Sequence, residues 1–308
     1  MRLQSSIFIF LICVSALYSC TSGVSAPAPT VGIHSTSDFG DYWFQGKAEI
    51  TSYALNQARY GEMRSGNAVA VFVTEPFSRK KKVKLDDPDR AGSDKVDVLK
   101  LNFTRDFNTG VYPYSLMTSV FTPILQRPNR QSSLKTTCSV TEWCGQAFMQ
   151  VTAPDEASFE FVQHSYFEDE ERHGEIASAW LEDELWTLIR IAPDQLPNGT
   201  IQMIPASHYL RLLHKEFKPL KAEASITELD SLRQLAIRYP EDGRELTVLF
   251  SASFPYEIEE WTETYVDGWG ASAQKLTTTG KKIKRMQLDY WTKNSNADAD
   301  LREELGLD

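Results

Sequence analysis

The chain is poor in cysteine and in basic charge, and it has no apolar run long enough to cross a bilayer as a helix. Four cysteines in 308 residues exclude a disulfide-dense scaffold, in which closely spaced bridges stand in for a small core. Lys and Arg number 32 against 42 Asp and Glu, a net charge of −10. That balance argues against nucleic acid as a partner, because phosphate contacts need a basic surface. The longest apolar run, Ile7 to Ala16, falls well short of the ~18 residues read as a spanning helix. Among the five histidines, none of His164, His208 or His214 stands in a catalytic signature, and no internal repeat of fixed period marks a solenoid.

What is present begins with a secretory signal. "MRLQSSIFIFLICVSALYSC" places one positive charge, Arg2, before the short apolar run and ends on small residues before Cys20, the layout of a signal peptide. Its end resembles the bacterial lipobox, with Leu17 at minus three, Ser19 at minus one and Cys20 as the residue to be lipidated. The expected organisation is a signal peptide over 1–19, the lipidated Cys20 with a flexible tether over 20–37, and a single mainly-β domain over 38–308. The tether, "TSGVSAPAPTVGIHSTS", is small, polar and proline-bearing, without hydrophobic period. Each acyl methylene buried in a bilayer contributes about 0.8 kcal/mol, so more than one chain on Cys20 anchors the protein firmly. No acidic cluster follows Cys20. The expected location is therefore the cell envelope, most simply the outer membrane with the domain facing the periplasm.

From Asp41 onward the dominant signal is period two. Val69, Val71 and Val73 alternate with small residues; Leu99, Leu101 and Phe103 alternate with polar ones; the same holds around Ala222, Leu235 and Leu246. These are half-buried strands. Turn chemistry separates them at 64–67, 87–94, 196–200 and 240–244. With no regular helix between strands, the pattern predicts a large curved antiparallel sheet or open half-barrel with one or two short helices. Helix is expected in "SAWLEDELWTLIRI" and in the C-terminal "ADLREELGL".

Candidate chemistry is sparse. "TEWCGQAFMQV", residues 141–151, reads as one strand with Cys144 on its more polar face. As a nucleophile Cys144 needs a base and an electropositive setting, and neither is visible nearby. As a disulfide partner it has only Cys138, since Cys13 leaves with the signal and Cys20 is acylated. On a straight strand the two lie about 20 Å apart, so that bridge is disfavoured. His208, His214 and Glu216 match no metal-ligand spacing. "FEDEERH", residues 167–173, reads as a solvated hairpin tip, and "SRKKKVK", residues 78–84, as a solvated strand end. No cofactor or metal site is expected.

The runs "YWFQGKAEITSYALNQARYGEMRSGNAVAVFVTEPFS", "TEWCGQAFMQ", "HSYFEDE" and "YWTKNSNADADLREELGL" resemble a family of Gram-negative bacterial lipoproteins whose members often carry the label "septum formation inhibitor Maf". The label is misapplied here. Maf proteins are cytoplasmic α/β nucleotide pyrophosphatases with an N-terminal serine, proline and arginine motif, and this chain has no such motif. The resemblance implies no activity and no site residues. In strand pattern the chain is also similar to periplasmic lipoprotein carriers, whose curved sheets accept acyl chains on a concave apolar face. Two functions follow. One is a non-enzymatic, membrane-anchored lipoprotein binding a hydrophobic ligand or an envelope protein through an open sheet face. The other is a periplasmic hydrolase using carboxylates or Cys144.

Overall fold

Along Lys95–Thr109, Leu101, Phe103, Arg105 and Phe107 point into the protein while the residues between them turn outward, and the same alternation builds most of the molecule. The computed structural model describes residues 37–125 and 132–307; the signal peptide, Cys20 and the tether through residue 36 lie outside the described residues. The strands are β1 (Ala48–Arg59), β2 (Glu62–Ser78), β3 (Val83–Lys84), β4 (Lys95–Thr109), β5 (Tyr112–Pro123), β6 (Lys135–Glu142), β7 (Gly145–Thr152) and β8 (Ser158–His164). They continue as β9 (Arg172–Ala177), β10 (Trp180–Leu181), β11 (Gly199–Ile204), β12 (Leu220–Leu229), β13 (Leu232–Tyr239), β14 (Arg244–Ser251), β15 (Ile258–Asp267) and β16 (Gln274–Leu288). Short helices α1 (Ser37–Trp43), α2 (Leu185–Ile191), α3 (Ser207–Leu212) and α4 (Asp300–Glu304) complete the fold. Among the described residues no helix is long and apolar enough to cross a membrane.

All 16 strands join one sheet, ordered β10-β11-β12-β13-β14-β15-β16-β1-β2-β4-β5-β6-β7-β8-β9, with β3 on β2. Every pairing is antiparallel except β10 with β11. The large open antiparallel sheet expected from the alternation is what forms. One expected turn moves: residues 64–67 lie inside β2, and the chain reverses instead at Tyr60–Gly61, both at positive φ (60° and 74°), as a two-residue hairpin requires.

The sheet curls until distant strands face each other. β4 and β15 are separated by β2, β1 and β16, roughly 19 Å in a flat sheet. Yet Arg105 on β4 and Glu263 on β15 form an ion pair at 2.8 Å, and the rings of Phe103 and Trp261 stand 5.2 Å apart. The two edges also approach one another. Edge strand β9 ends at Ala177 and the opposite edge, β10, begins at Trp180, a link that reaches at most about 11 Å when extended. The sheet is thus a wrapped wall with a seam at residues 178–179.

The concave side, expected from the sequence to offer an open apolar face, is filled by the chain's own residues 182–192 together with α3. Every residue of α2 is buried, because its apolar side chains run all round the helix and not along one stripe. Trp186 packs edge-on against Phe103 (4.9 Å) and Trp261 (5.5 Å). The three acids before α2, Glu182, Asp183 and Glu184, are buried too, and each has a partner, as buried charge demands. Glu182 takes Arg244 (Nη2–Oε1 2.5 Å) and the Tyr239 hydroxyl (2.6 Å). Asp183 accepts the Ser207 hydroxyl at 2.5 Å, and Glu184 accepts the Ser133 amide at 2.8 Å. Farther along, Arg190 makes a two-pronged pair with Glu49 on β1 (2.5 and 2.7 Å). These contacts fix the inserted segment to strands on both sides of the interior.

Candidate functional site

Hairpin turns on an antiparallel sheet fall at alternate ends, so the β1–β2, β4–β5, β6–β7, β8–β9 and β15–β16 connections gather at one rim. Several turns there carry an aromatic residue beside the usual glycine: Tyr60 next to Gly61 and Trp269 between Gly268 and Gly270. Tyr166 (66 % exposed) and Trp269 (62 %) line a cleft of about 260 Å³, and Trp143 (70 %) is exposed on the neighbouring β6–β7 turn. Arg59, Tyr60, Tyr114, Arg211 and Leu212 form one wall, and Cys144, Tyr166, Phe167 and His214 another.

The wall is held by the strand ends. Gly61 N–H donates to Asp267 (2.6 Å), and a Cβ on Gly61 would come within 2.4 Å of the Ser272 carbonyl oxygen. Glycine therefore permits the β1–β2 turn to lie against the β15–β16 loop. Tyr60 meets the Trp269 ring at 5.4 Å. Arg59, the last residue of β1, is buried. Its Nη1 donates to the Leu212 carbonyl at 2.5 Å and its Nη2 to the Tyr114 hydroxyl at 2.9 Å. The hydroxyls of Tyr60 and Tyr114 are 2.6 Å apart, and Tyr112 donates to Tyr60 at 3.2 Å.

The stretch "TEWCGQAFMQV", residues 141–151, is not one strand. β6 ends at Glu142 and β7 begins at Gly145, so Trp143 and Cys144 form the turn, and Cys138 pairs in register with Met149. The physical reason is Glu142, whose carboxylate accepts the Cys144 amide at 2.7 Å and closes the reversal, together with Gly145 just after it. Beyond the turn the expected face holds: Ala147, Met149 and Val151 are buried. Both thiols are free, Cys138 buried and Cys144 exposed. Burial pushes the Cys138 thiol up to about 12. A hydrogen bond to the Glu142 carboxylate, together with its charge, raises the Cys144 thiol above its ordinary value, the opposite of nucleophile activation.

The histidines separate. His164 sits on the surface 2.7 Å from Glu171. His208 is inside the sheet, 3.0 Å from Glu263. His214 turns out of α3 with φ 54° and lines the cleft, its Nδ1 2.5 Å from Glu170. Burial, with Arg211 and Arg59 nearby, holds His214 below its usual value, so it is neutral at pH 7. Glu216 pairs with Lys218. Among the described residues no group of three His, Cys, Asp or Glu is placed to hold a metal ion.

Sequence reasoning missed Arg59, Arg211 and the aromatic ring around them. The available signal was the aromatics in turn positions, Tyr60, Trp143, Tyr166 and Trp269. No family profile, curated protein or solved structure matches the chain.

Proposed function

We propose that this chain is a membrane-anchored envelope lipoprotein that binds a ligand at the rim cleft and performs no bond chemistry there. The observation that carries this reading is a cleft walled by aromatic rings and arginines in which the reactive side chains are engaged with each other. Pockets for small molecules are mostly apolar with a few placed polar groups, and this one has that make-up. Its volume suits a single ring or the end of a longer molecule. The hydrophobic ligand expected from the sequence belongs, on this proposal, at the rim and not under the sheet, since α2 occupies the interior. The anchor at Cys20 would keep the cleft in the envelope.

A second function, hydrolysis with Cys144 as nucleophile, draws on one observation: Cys144 and the His214–Glu170 pair line the same cleft. A nucleophile, a base and a residue orienting that base form the required series. Against it, no hydrogen bond joins Cys144 to His214 among the described residues, and the thiol is held protonated by Glu142.

Native mass spectrometry of the full chain, purified from membranes in non-ionic detergent and followed by solvent extraction, tests the binding proposal. A retained small molecule is expected, and it should be lost from the Trp269→Ala/Tyr166→Ala variant, both sites being exposed and so removable without unfolding. A ligand-free wild type, or equal retention by the variant, counts against it. Cys144→Ser should leave retention unchanged, whereas accumulation of uncleaved ligand in that variant would favour the hydrolase.

A further inference from the structure

Among the described residues the arginines Arg59, Arg105, Arg190 and Arg244 are each 4 % exposed or less. Three of them face carboxylates, Arg105 on Glu263, Arg190 on Glu49 and Arg244 on Glu182 and Glu263. Arg59 does not. Its partners are a carbonyl oxygen, two tyrosine hydroxyls and two aromatic faces, with the guanidinium carbon 4.0 Å from the Tyr60 ring centroid and 5.1 Å from that of Tyr114. Its Nε is buried with no hydrogen-bond partner. An ionic group out of water without a counter-charge is costly, and this one lines the cleft.

Neither Glu142 in the cleft lining nor Glu170, which pairs with two lining residues, supplies that charge. Glu170 is committed to Arg211 and to His214. Glu142 holds the Cys144 amide and thiol. His214 is neutral, so the uncompensated positive charge at this end of the cleft is that of Arg59. The tyrosine hydroxyls beside it form a chain, Tyr112 to Tyr60 to Tyr114, able to reorient and donate to an incoming oxygen. Trp269 lies tilted against Tyr60 at the mouth, and Tyr166 with Phe167 stands across the gap.

We propose that the rim cleft recognises a small organic oxyanion, a carboxylate or phosphate monoester carried on a flat ring, with Arg59 and the Tyr60–Tyr114 hydroxyls taking the anion and Trp269, Tyr166 and Phe167 enclosing the ring. This rests on the reading of the cleft as a binding site and specifies what it binds. A charged hydrogen bond contributes roughly 1.5–3 kcal/mol, so an anionic probe should bind about tenfold or more tightly than its neutral isostere.

Saturation-transfer NMR on the full chain in non-ionic detergent, with benzoate, phenyl phosphate and benzyl alcohol as observed probes and inorganic phosphate as a competitor of phenyl phosphate, tests it. Benzoate and phenyl phosphate should bind saturably and at least about tenfold better than benzyl alcohol. Arg59→Gln should abolish that preference, and Trp269→Ala should weaken all ring-bearing probes alike. The ranking of probes on the wild type decides the matter even if Arg59→Gln does not fold. Equal binding of benzoate and benzyl alcohol, lost in Trp269→Ala, would leave the cleft a binding site and overturn the oxyanion assignment. Inorganic phosphate binding as tightly as phenyl phosphate would overturn the ring. No binding by any probe overturns the inference entirely, while the fate of the co-purified ligand separately decides the cleft.

Discussion

Arg190 and Glu49 meet inside the sheet in a parallel two-pronged pair, Nη1 to Oε1 at 2.5 Å and Nη2 to Oε2 at 2.7 Å, with each side chain about 1 % exposed or less. The pair ties α2 to β1, and the Tyr42 hydroxyl from α1 and Arg285 from β16 also reach Glu49. The insertion of residues 182–192 into the concavity is therefore an electrostatic fit as well as an apolar one.

Removing one partner strands the other. Arg190→Met should destabilise the protein by about 3–5 kcal/mol, since Glu49 is left as a buried carboxylate with only Tyr42 and the more distant Arg285. The double variant Glu49→Gln/Arg190→Met should recover most of that loss, because glutamine still accepts from Tyr42 and no charge is left unpaired. Urea unfolding midpoints of the three proteins check this; a double variant as unstable as the single one would show that the pair is not coupled.

The same pairing sets the acid response. Burial alone would raise Glu49 and Glu263, but Arg190 and Arg105 respectively overcome it and hold both below the ordinary value of 4.5. A depressed carboxylate contributes stability that is present above its unfolded value and is lost as pH falls through the folded one. Stability should therefore drop as pH falls below about 4.5. Asp183 works with the opposite sign: burial raises it, so its share is lost as pH rises. The acid-side slope should be shallower in Glu49→Gln. A urea midpoint flat from pH 5 down to about pH 3 would contradict the assignment.

Gly280 on β16 marks a close approach. A Cβ there would fall 2.0 Å from the Trp261 ring, and that ring cannot yield because Tyr53 (4.8 Å), Phe103 (5.2 Å) and Trp186 (5.5 Å) enclose it. Gly280→Ala should cost at least about 1–3 kcal/mol by overpacking and should alter near-ultraviolet circular dichroism. Wild-type stability in this variant would mean that the indole has room to move.

The strands were legible because one buried face leaves a period-two trace, as in Leu99 to Phe107 and Leu246 to Phe250. The hairpin at Trp143–Cys144 was not, since its flanking residues continue the alternation and the reversal depends on a Glu142 side-chain contact. The role of 182–191 was half legible. Leu181, Leu185 and Leu188 announced a helix, but Leu181 falls in β10 and the helix starts only at Leu185, and only the curled sheet brings Arg244, Ser207 and Ser133 to Glu182, Asp183 and Glu184. The cleft was not legible at all. Arg59, Arg211 and Trp269 are far apart in sequence and meet only once the sheet has curved.

The thiols offer a direct check on the corrected hairpin. Cys144 in the folded protein should react with a disulfide reagent, more slowly than an unperturbed thiol because Glu142 raises it, while Cys138 should react only on unfolding. Glu142→Gln removes the carboxylate charge and should speed the Cys144 reaction without affecting Cys138. Two unreactive thiols in the native chain, or a recovered Cys138–Cys144 crosslink, would contradict the turn.

The anchor is the last test, and it bears on where the cleft works. Thr74 Oγ1 bonds the Trp43 carbonyl at 2.7 Å, which seats α1 near the end of β2 opposite the rim, so the described chain begins at the far end from Trp269 and Tyr166. If Cys20 carries acyl chains, the anchored segment joins the domain at the end away from the cleft. Cys20→Ser should move the protein from the membrane to the soluble periplasmic fraction while leaving ligand retention unchanged, because the residues lining the cleft all fall between Arg59 and Trp269. Membrane fractionation identical to wild type would count against acylation, and loss of ligand together with the anchor would place the binding surface against the bilayer.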